Sequence, residues 1–323
     1  MKVLITGITG LIGNLLAKKL LNGNYDLIGL IRPGTDKKRL GDVQDNNKLE
    51  LIEVDLADNF TLKEKIKKIE FDAVLHIGAI RGGRKFPRET YYLANVAATD
   101  ILMDRANELN AKFVFCSSVG VFGAIPKTVP ANNSSEKQKD NYYHLTKILS
   151  EKMLKKQVEE GLRGIIVRPT ITYGIGDYGF PYTLIKMIDK KIMFLPTQDI
   201  KLHLGDVETI TNIFIEVLKK NIEPGKEYIA ADSKPISLYK LTNFIYSNLK
   251  GRETKYPQKM PTSLFRIGEF FSKKINSELW TARFQLISKN WYYDVSNTYK
   301  DLELTTSKTL PQFKRIIEWY KEQ

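Results

Sequence analysis

The chain alternates short apolar runs with stretches whose apolar residues recur three and four positions apart. Residues 3–6, 27–31, 51–54, 73–77, 112–116 and 164–167 read as short strands. Residues 11–21, 62–69, 88–110 and 142–160 carry the helical period. Turn formers close several of these runs, such as Asn22-Gly23-Asn24 and Arg32-Pro33-Gly34. Strands that are apolar on both faces and separated by helices predict a parallel sheet covered on both sides. The expected fold is α/β, a Rossmann-type doubly wound parallel sheet with a smaller, mixed C-terminal substrate-binding part. The dinucleotide-binding domain is expected over 1–170 and the substrate part over 171–323. Segments at about 201–220 are expected to return to the first domain, with 201–204 rejoining the main sheet.

Composition narrows the class. A 42% hydrophobic and 27% charged chain of 323 residues is that of a globular protein. No apolar stretch approaches the roughly 18 residues of a membrane helix, and the first apolar run is too short for a signal-peptide core. The single cysteine, Cys116, allows no internal disulfide, and three scattered histidines give a metal site little to build on. A cytoplasmic protein without metal is expected. Net charge +13 is spread along the chain rather than gathered in one arm. It reads as a solvated surface, so neither nucleic acid nor a membrane is expected as a partner.

The chemistry begins at Thr6-Gly7-Ile8-Thr9-Gly10-Leu11-Ile12-Gly13, between the first strand and the first helix. Glycines there let the backbone approach a pyrophosphate at a helix N-terminus. Nineteen residues past Gly13 stands Arg32, where an NAD-binding fold usually places an acid. A cation at that place predicts NADP(H), with NAD(H) as the alternative. Tyr143 and Lys147, four apart on one helix face, form a candidate acid/base pair, because an ammonium favours the phenolate. Ser117 and Ser118 directly follow the fifth strand, at the edge where such folds bind ligands, and a hydroxyl there can hold a substrate oxygen. The basic loop Arg81-Gly82-Gly83-Arg84-Lys85 follows the fourth strand and reads first as a solvated loop, with contact to a phosphorylated or carboxylated substrate as the alternative.

With these residues the sequence resembles an extended short-chain dehydrogenase/reductase over nearly its whole length. The glycine loop is similar to TGxxGxxG, Val54-Asp55-Leu56 to the adenine-contacting acidic segment, and Leu75-His76-Ile77-Gly78-Ala79 to HLAA. Asn95-Val96, Ser117 to Gly123 (SSxxVYG, with Phe122 for tyrosine) and Tyr143-xxx-Lys147 with Glu151 (YxxSKxxxE, with Thr146 for serine) follow in order. Arg168-Pro169 with Tyr173-Gly174 and Asp177 resembles RPxxxYGxxD, and His203 to Val207 resembles HVDDV. The resemblance implies Tyr143 as acid/base, Lys147 on the nicotinamide ribose and Ser118 on the reacting oxygen. It further implies a cofactor site from Gly7, Thr9, Gly10, Leu11, Ile12, Gly13, Arg32, Asp55, Leu56, Gly78, Ala79, Asn95, Ser117, Tyr143, Lys147 and Pro169.

Within that group, nucleotide-sugar epimerases usually have asparagine near position 171 or 172 and often arginine at 199; this chain has Ile171, Thr172 and Asp199. The segment from Arg168 to Asp177 and the aromatic tail look closer to the dihydroflavonol reductase and 3β-hydroxysteroid dehydrogenase branch. Aromatic residues over 265–293 are expected to line an apolar pocket or to form core. The leading expectation is therefore a ketone/alcohol oxidoreductase acting on a small molecule. The alternatives are a nucleotide-sugar epimerase or dehydratase with recycled NAD, and a non-catalytic dinucleotide sensor. Family members commonly pair as homodimers through the two long helices, here about 88–110 and 141–160.

Overall fold

A computed structural model describes residues 1–275 and 277–323 of the chain. It opens with β1 (Lys2–Thr6), α1 (Leu11–Asn22), β2 (Asp26–Ile31) and β3 (Leu49–Glu53). There follow α2 (Asn59–Ile66), β4 (Ala73–His76) and a long helical stretch. That stretch is α3 (Arg88–Tyr92), a π-helical turn (Leu93–Ala97) and α4 (Ala98–Glu108). The alternation ends with β5 (Lys112–Cys116), α5 (Tyr142–Glu159) and β6 (Arg163–Pro169). Beyond it come β7 (Ile171–Tyr173), α6 (Phe180–Asp189), β8 (Leu195–Pro196), β9 (Lys201–Leu202) and β10 (Leu204–Asp206). Next are α7 (Val207–Lys219), β11 (Glu227–Ala230), β12 (Ile236–Ser237), α8 (Leu238–Lys250) and β13 (Lys259–Met260). Four helices finish the chain: α9 (Thr262–Lys274), α10 (Glu278–Ser288), α11 (Ser296–Asp301) and α12 (Thr309–Lys321).

Seven strands form one parallel sheet in the order β11-β6-β5-β4-β1-β2-β3. The order reverses at β1, so the carboxyl ends of β1 and β4 flank the crevice where doubly wound sheets bind ligands. Its strands are apolar on both faces because helices cover both. Leu4, Ile28, Val74, Phe113 and Ile166 share one core cluster with Leu62 of α2, Leu102 and Met103 of α4 and Leu154 of α5.

Two compact units emerge. The first comprises Met1–Val121, Lys137–Pro169 and Ile210–Tyr228; the second comprises Phe122–Glu136, Thr170–Thr209 and Ile229–Gln323. The return to the first unit therefore lies later than expected. Residues 201–204 do not rejoin the main sheet: β9 pairs antiparallel with β12, and β10 parallel with β7. The returning segment is tied down by Lys112, whose buried Nζ donates to the carbonyls of Val217, Leu218 and Lys220 at 2.7–3.1 Å. That ammonium satisfies the open carbonyl end of α7.

In the second unit a buried carboxylate organises the polar interior. Asp232 accepts from the Tyr173 hydroxyl at 2.7 Å, Thr309 Oγ1 at 2.8 Å and the Asp206 amide at 3.0 Å. The aromatic residues of 265–293 divide. Phe265, Trp291 and Tyr293 are core, whereas Phe270, Phe271 and Trp280 stand exposed. Among the described residues no helix is long and apolar enough to cross a membrane.

Candidate active site

All the site residues expected from the sequence lie in the first unit. Gly7 sits at φ +69°, and a Cβ there would meet the Gly78 amide nitrogen at 2.7 Å. A Cβ on Gly13 would come within 2.2 Å of the Gly7 carbonyl oxygen. These two glycines thus allow the end of β1, the end of β4 and the first turn of α1 to share one small space. Gly10 caps α1 with no side-chain hydrogen bond, and the first turn carries no acid. The amides of Leu11, Ile12 and Gly13 start the helix without a negative side chain competing for them, and half-buried Thr9 precedes the turn. An open, uncapped helix start over a glycine floor fits a dinucleotide pyrophosphate.

The neighbouring strand ends are held as firmly. Asp55 Oδ1 accepts from the Ala57 amide at 2.9 Å, and Leu56 leans on Gly78. Fully buried His76 spans Thr6 Oγ1 (2.7 Å from Nδ1) and Thr99 Oγ1 (2.9 Å from Nε2). Thr99 spends its hydroxyl proton on the Asn95 carbonyl, so it must accept from His76 Nε2–H, and Nδ1 accepts from Thr6. Burial and the charge of Lys147 keep this imidazole neutral, its pKa pulled down to about 3. Half-buried Ala79 leads to Ile80, whose amide and carbonyl are both bound by the Asn95 side chain at 2.8 and 3.0 Å. Asn95 also donates to Thr146 Oγ1 at 3.1 Å and lies within the π-helical turn. The wider turn interrupts the long helix expected at 88–110 and aims the Asn95 amide at the loop after β4. Arg32 ends β2 exposed, and its guanidinium has no hydrogen-bond or ion-pair partner among the described residues. Pro169, buried, closes β6.

Tyr143, Ser118 and Lys147 come together. The Tyr143 hydroxyl is hydrogen-bonded to the Ser118 side chain, and Ser118 Oγ accepts from the Gly120 amide at 3.0 Å. Lys147 Nζ donates to the Cys116 carbonyl at 2.7 Å and lies 6.0 Å from the centre of the Tyr143 ring and 4.6 Å from that of Phe115. Burial pulls Lys147 down to about 8, while its neighbours Cys116 and Glu151 pull the other way. Burial pushes the Tyr143 phenol well above its ordinary value, with Arg81 and Ser118 opposing that rise. The ligand-free pair is thus a neutral phenol beside a cation that titrates near neutrality, which suits proton exchange with a carbinol oxygen. Ser117 differs from its neighbour: its buried hydroxyl donates to Glu151 at 2.6 Å, so it belongs to the scaffold behind the site.

Two features lie outside the site residues expected from the sequence. Arg81 acts on Tyr143 electrostatically, and its carbonyl is fixed by the Tyr91 hydroxyl at 2.9 Å. Its side chain is exposed and has no hydrogen-bond or ion-pair partner among the described residues. The basic loop was visible as a motif, but its closeness to Tyr143 depends on Gly82 packing against the tyrosine ring. The other feature is the ion pair of Glu151 with Arg168, whose members lie in two separate motifs.

Residues 3–231 match the profile of the NAD dependent epimerase/dehydratase family. The chain belongs to that family. UDP-glucose 4-epimerase 2 of Arabidopsis thaliana is 32% identical over 162 residues, covering 47% of this chain and 45% of that protein. The chain thus spans about half the length of this relative, and 46% of a Lactobacillus helveticus UDP-glucose 4-epimerase. UDP-glucose 4-epimerase of Vibrio cholerae is 22% identical over 325 residues, covering 98% of this chain and 94% of that protein. The UDP-glucuronic acid 4-epimerase of Bacillus cereus in complex with NAD superposes with TM-score 0.75 at 20% identity, covering 100% of this chain and 97% of that one. Family membership thus makes this an extended short-chain dehydrogenase/reductase, and most of its relatives are named for the epimerase chemistry that the sequence ranked second, although two are named as dehydrogenases. The family is NAD-dependent, and the preference for NADP(H) drawn from Arg32 gains no support from these relatives.

Proposed function

We propose that the chain is a nucleotide-sugar epimerase that keeps NAD and acts at a carbinol carbon of the sugar. The Tyr143–Ser118 hydrogen bond with Lys147 behind it carries this reading, in a chain whose family match runs through all three residues. Ser118 orients the reacting oxygen, and Tyr143, as the phenolate, takes its proton to become the phenol and later returns it. The Lys147 ammonium lowers the cost of the phenolate that begins and ends this cycle. NAD, when bound, supplies the hydride acceptor that makes the carbinol a transient ketone and then restores it. The mobile proton stays on this chain's own side chains, so one tyrosine serves both halves of the cycle.

Two measurements test the proposal. The purified protein is denatured and any released dinucleotide is identified by mass spectrometry; stoichiometric NAD or NADH is expected. The native protein is then incubated with UDP-glucose, and conversion to its 4-epimer is followed by NMR. Release of no dinucleotide, with no epimerisation after NAD is added, overturns the reading.

A second reading is net ketone/alcohol oxidoreduction with exchangeable NADP(H). The unpartnered guanidinium of Arg32 and the presence of Ile171 and Thr172 in place of asparagine favour it. An empty protein that binds NADPH more tightly than NADH would select it.

A further inference from the structure

An ordinary surface helix turns its apolar stripe inward. α9 does the reverse. Leu264, Ile267 and Phe271 recur at three- and four-residue spacing on one face, with Phe270 beside them, and all point to solvent. Its buried residues are Phe265, Glu269 and Ser272. Glu269 is held there by Lys273, Gln285 and Lys289 at 2.8 Å, and Ser272 meets Thr281 at 2.9 Å. Polar bonds thus join α9 to α10, and the closeness of Gly268 to Phe284 lets the two helices pack tightly. α10 has no buried residue at all, and it adds Leu279 and Trp280 to the same exposed population. Leu264, Ile267, Phe270, Phe271, Leu279 and Trp280 are each between 45% and 60% exposed. So much apolar surface on one hairpin calls for a partner.

The charges choose the partner. Lys273 and Lys289 are taken up by buried Glu269, which leaves Arg266, Lys274 and Arg283 against Glu278 alone in this hairpin. Lys274 lies 4.8 Å from the centre of the Phe270 ring and Arg283 4.9 Å from that of Trp280, so cation and aromatic surface come as units. A second copy docked face to face would set these cations against each other. Exposed Phe, Leu and Trp rimmed by Lys and Arg is the composition of a helix that lies in the headgroup layer of an anionic bilayer. We propose that the α9–α10 hairpin docks the protein on an anionic membrane surface, with Phe270, Phe271 and Trp280 entering the headgroup layer. This revises the expectation of no membrane partner, which rested on the positive charge being spread along the chain. Spread charge does not prevent cations from gathering beside exposed apolar side chains on one hairpin.

The test is cosedimentation of the full chain with vesicles of phosphatidylglycerol and phosphatidylcholine, and with phosphatidylcholine alone. Partition onto the anionic vesicles is expected, weakening as salt is raised. Emission should move to shorter wavelength, and Trp280→Phe should abolish the shift. Phe270→Ser with Phe271→Ser should cost about a hundredfold in partition, and Lys274→Glu with Arg283→Glu about tenfold or more. All four side chains are exposed, so circular dichroism should stay unchanged. No binding to the anionic vesicles, equal binding to neutral ones, or binding that survives the double serine variant overturns the proposal. So does a dimer in solution that the serine variant dissociates, which would assign the face to a second copy.

Discussion

Glu151 and Arg168 meet as a two-pronged ion pair with both side chains at 0% exposure, Nε to Oε1 at 2.7 Å and Nη2 to Oε2 at 2.9 Å. Glu151 lies one turn past Lys147 on α5, and Arg168 lies near the end of β6. Ser117 donates to the same Oε1, and Arg168 reaches on to Glu227 at 2.7 Å. The pair therefore locks α5 to the ends of β5 and β6, which fixes Tyr143 against Ser118. Removing one partner leaves a buried charge uncompensated, so Glu151→Ala should cost about 3–5 kcal/mol. Urea unfolding would show it.

The same pair sets an acid limit. Burial pushes the Glu151 carboxyl up, but the hydrogen bonds and charge of Arg168, helped by Lys137, hold it down at about 2, below its ordinary 4.5. A depressed folded-state value means that the stabilisation is complete above pH 4.5 and is lost as pH falls through about 2. Glu151→Gln should flatten stability against pH over that window, and an unchanged slope would remove the carboxylate as its source.

Tyr143→Phe keeps the ring and its packing on Gly82 while removing the acid. Turnover should fall by about two to four orders of magnitude, with melting temperature close to that of the parent. Wild-type turnover by this variant would take the proton-transfer role away from Tyr143.

Most of the frame that holds these residues is legible in the sequence, for local reasons. The strands β1, β2, β4, β5 and β6 are short apolar runs closed by turns, and the Tyr143–Lys147 spacing needs only one helical turn. What escapes is set at long range. β11 lies beside β6 in the sheet although β7 through α7 separate the two strands in the chain. The Glu151–Arg168 pair joins residues from different motifs, and nothing in either motif states that both side chains are buried. The inverted face of α9 is invisible to periodicity, because an amphipathic pattern says which residues share a side and not whether that side meets the core.

Under the proposed function, Lys147 supplies the pH dependence of the site. Burial pulls its pKa from 10.5 to about 8, so the ammonium that favours the phenolate is present below that pH and is lost as pH rises through it. The rate should therefore decline on the alkaline side of about 8. Lys147→Met should abolish this decline and lower the rate roughly a hundredfold. A decline that persists in the variant would belong to another group.

The second functional reading turns on Arg32. This arginine directly follows β2, with Lys37, Lys38 and Arg39 a few residues further on, and its exposed guanidinium has no hydrogen-bond or ion-pair partner among the described residues. A guanidinium in this place binds a 2′-phosphate with charge-assisted hydrogen bonds, whereas a carboxylate there accepts from ribose hydroxyls and repels the phosphate. Arg32→Asp should therefore shift the ratio of NADP(H) to NAD(H) affinity towards NAD(H) by about ten- to a hundredfold, measured by calorimetric titration of both cofactors. The ratio, rather than either affinity alone, separates this effect from general damage to the fold. An unchanged ratio would place the ribose away from Arg32, withdraw the main support for the oxidoreductase reading and leave the retained-NAD epimerase standing.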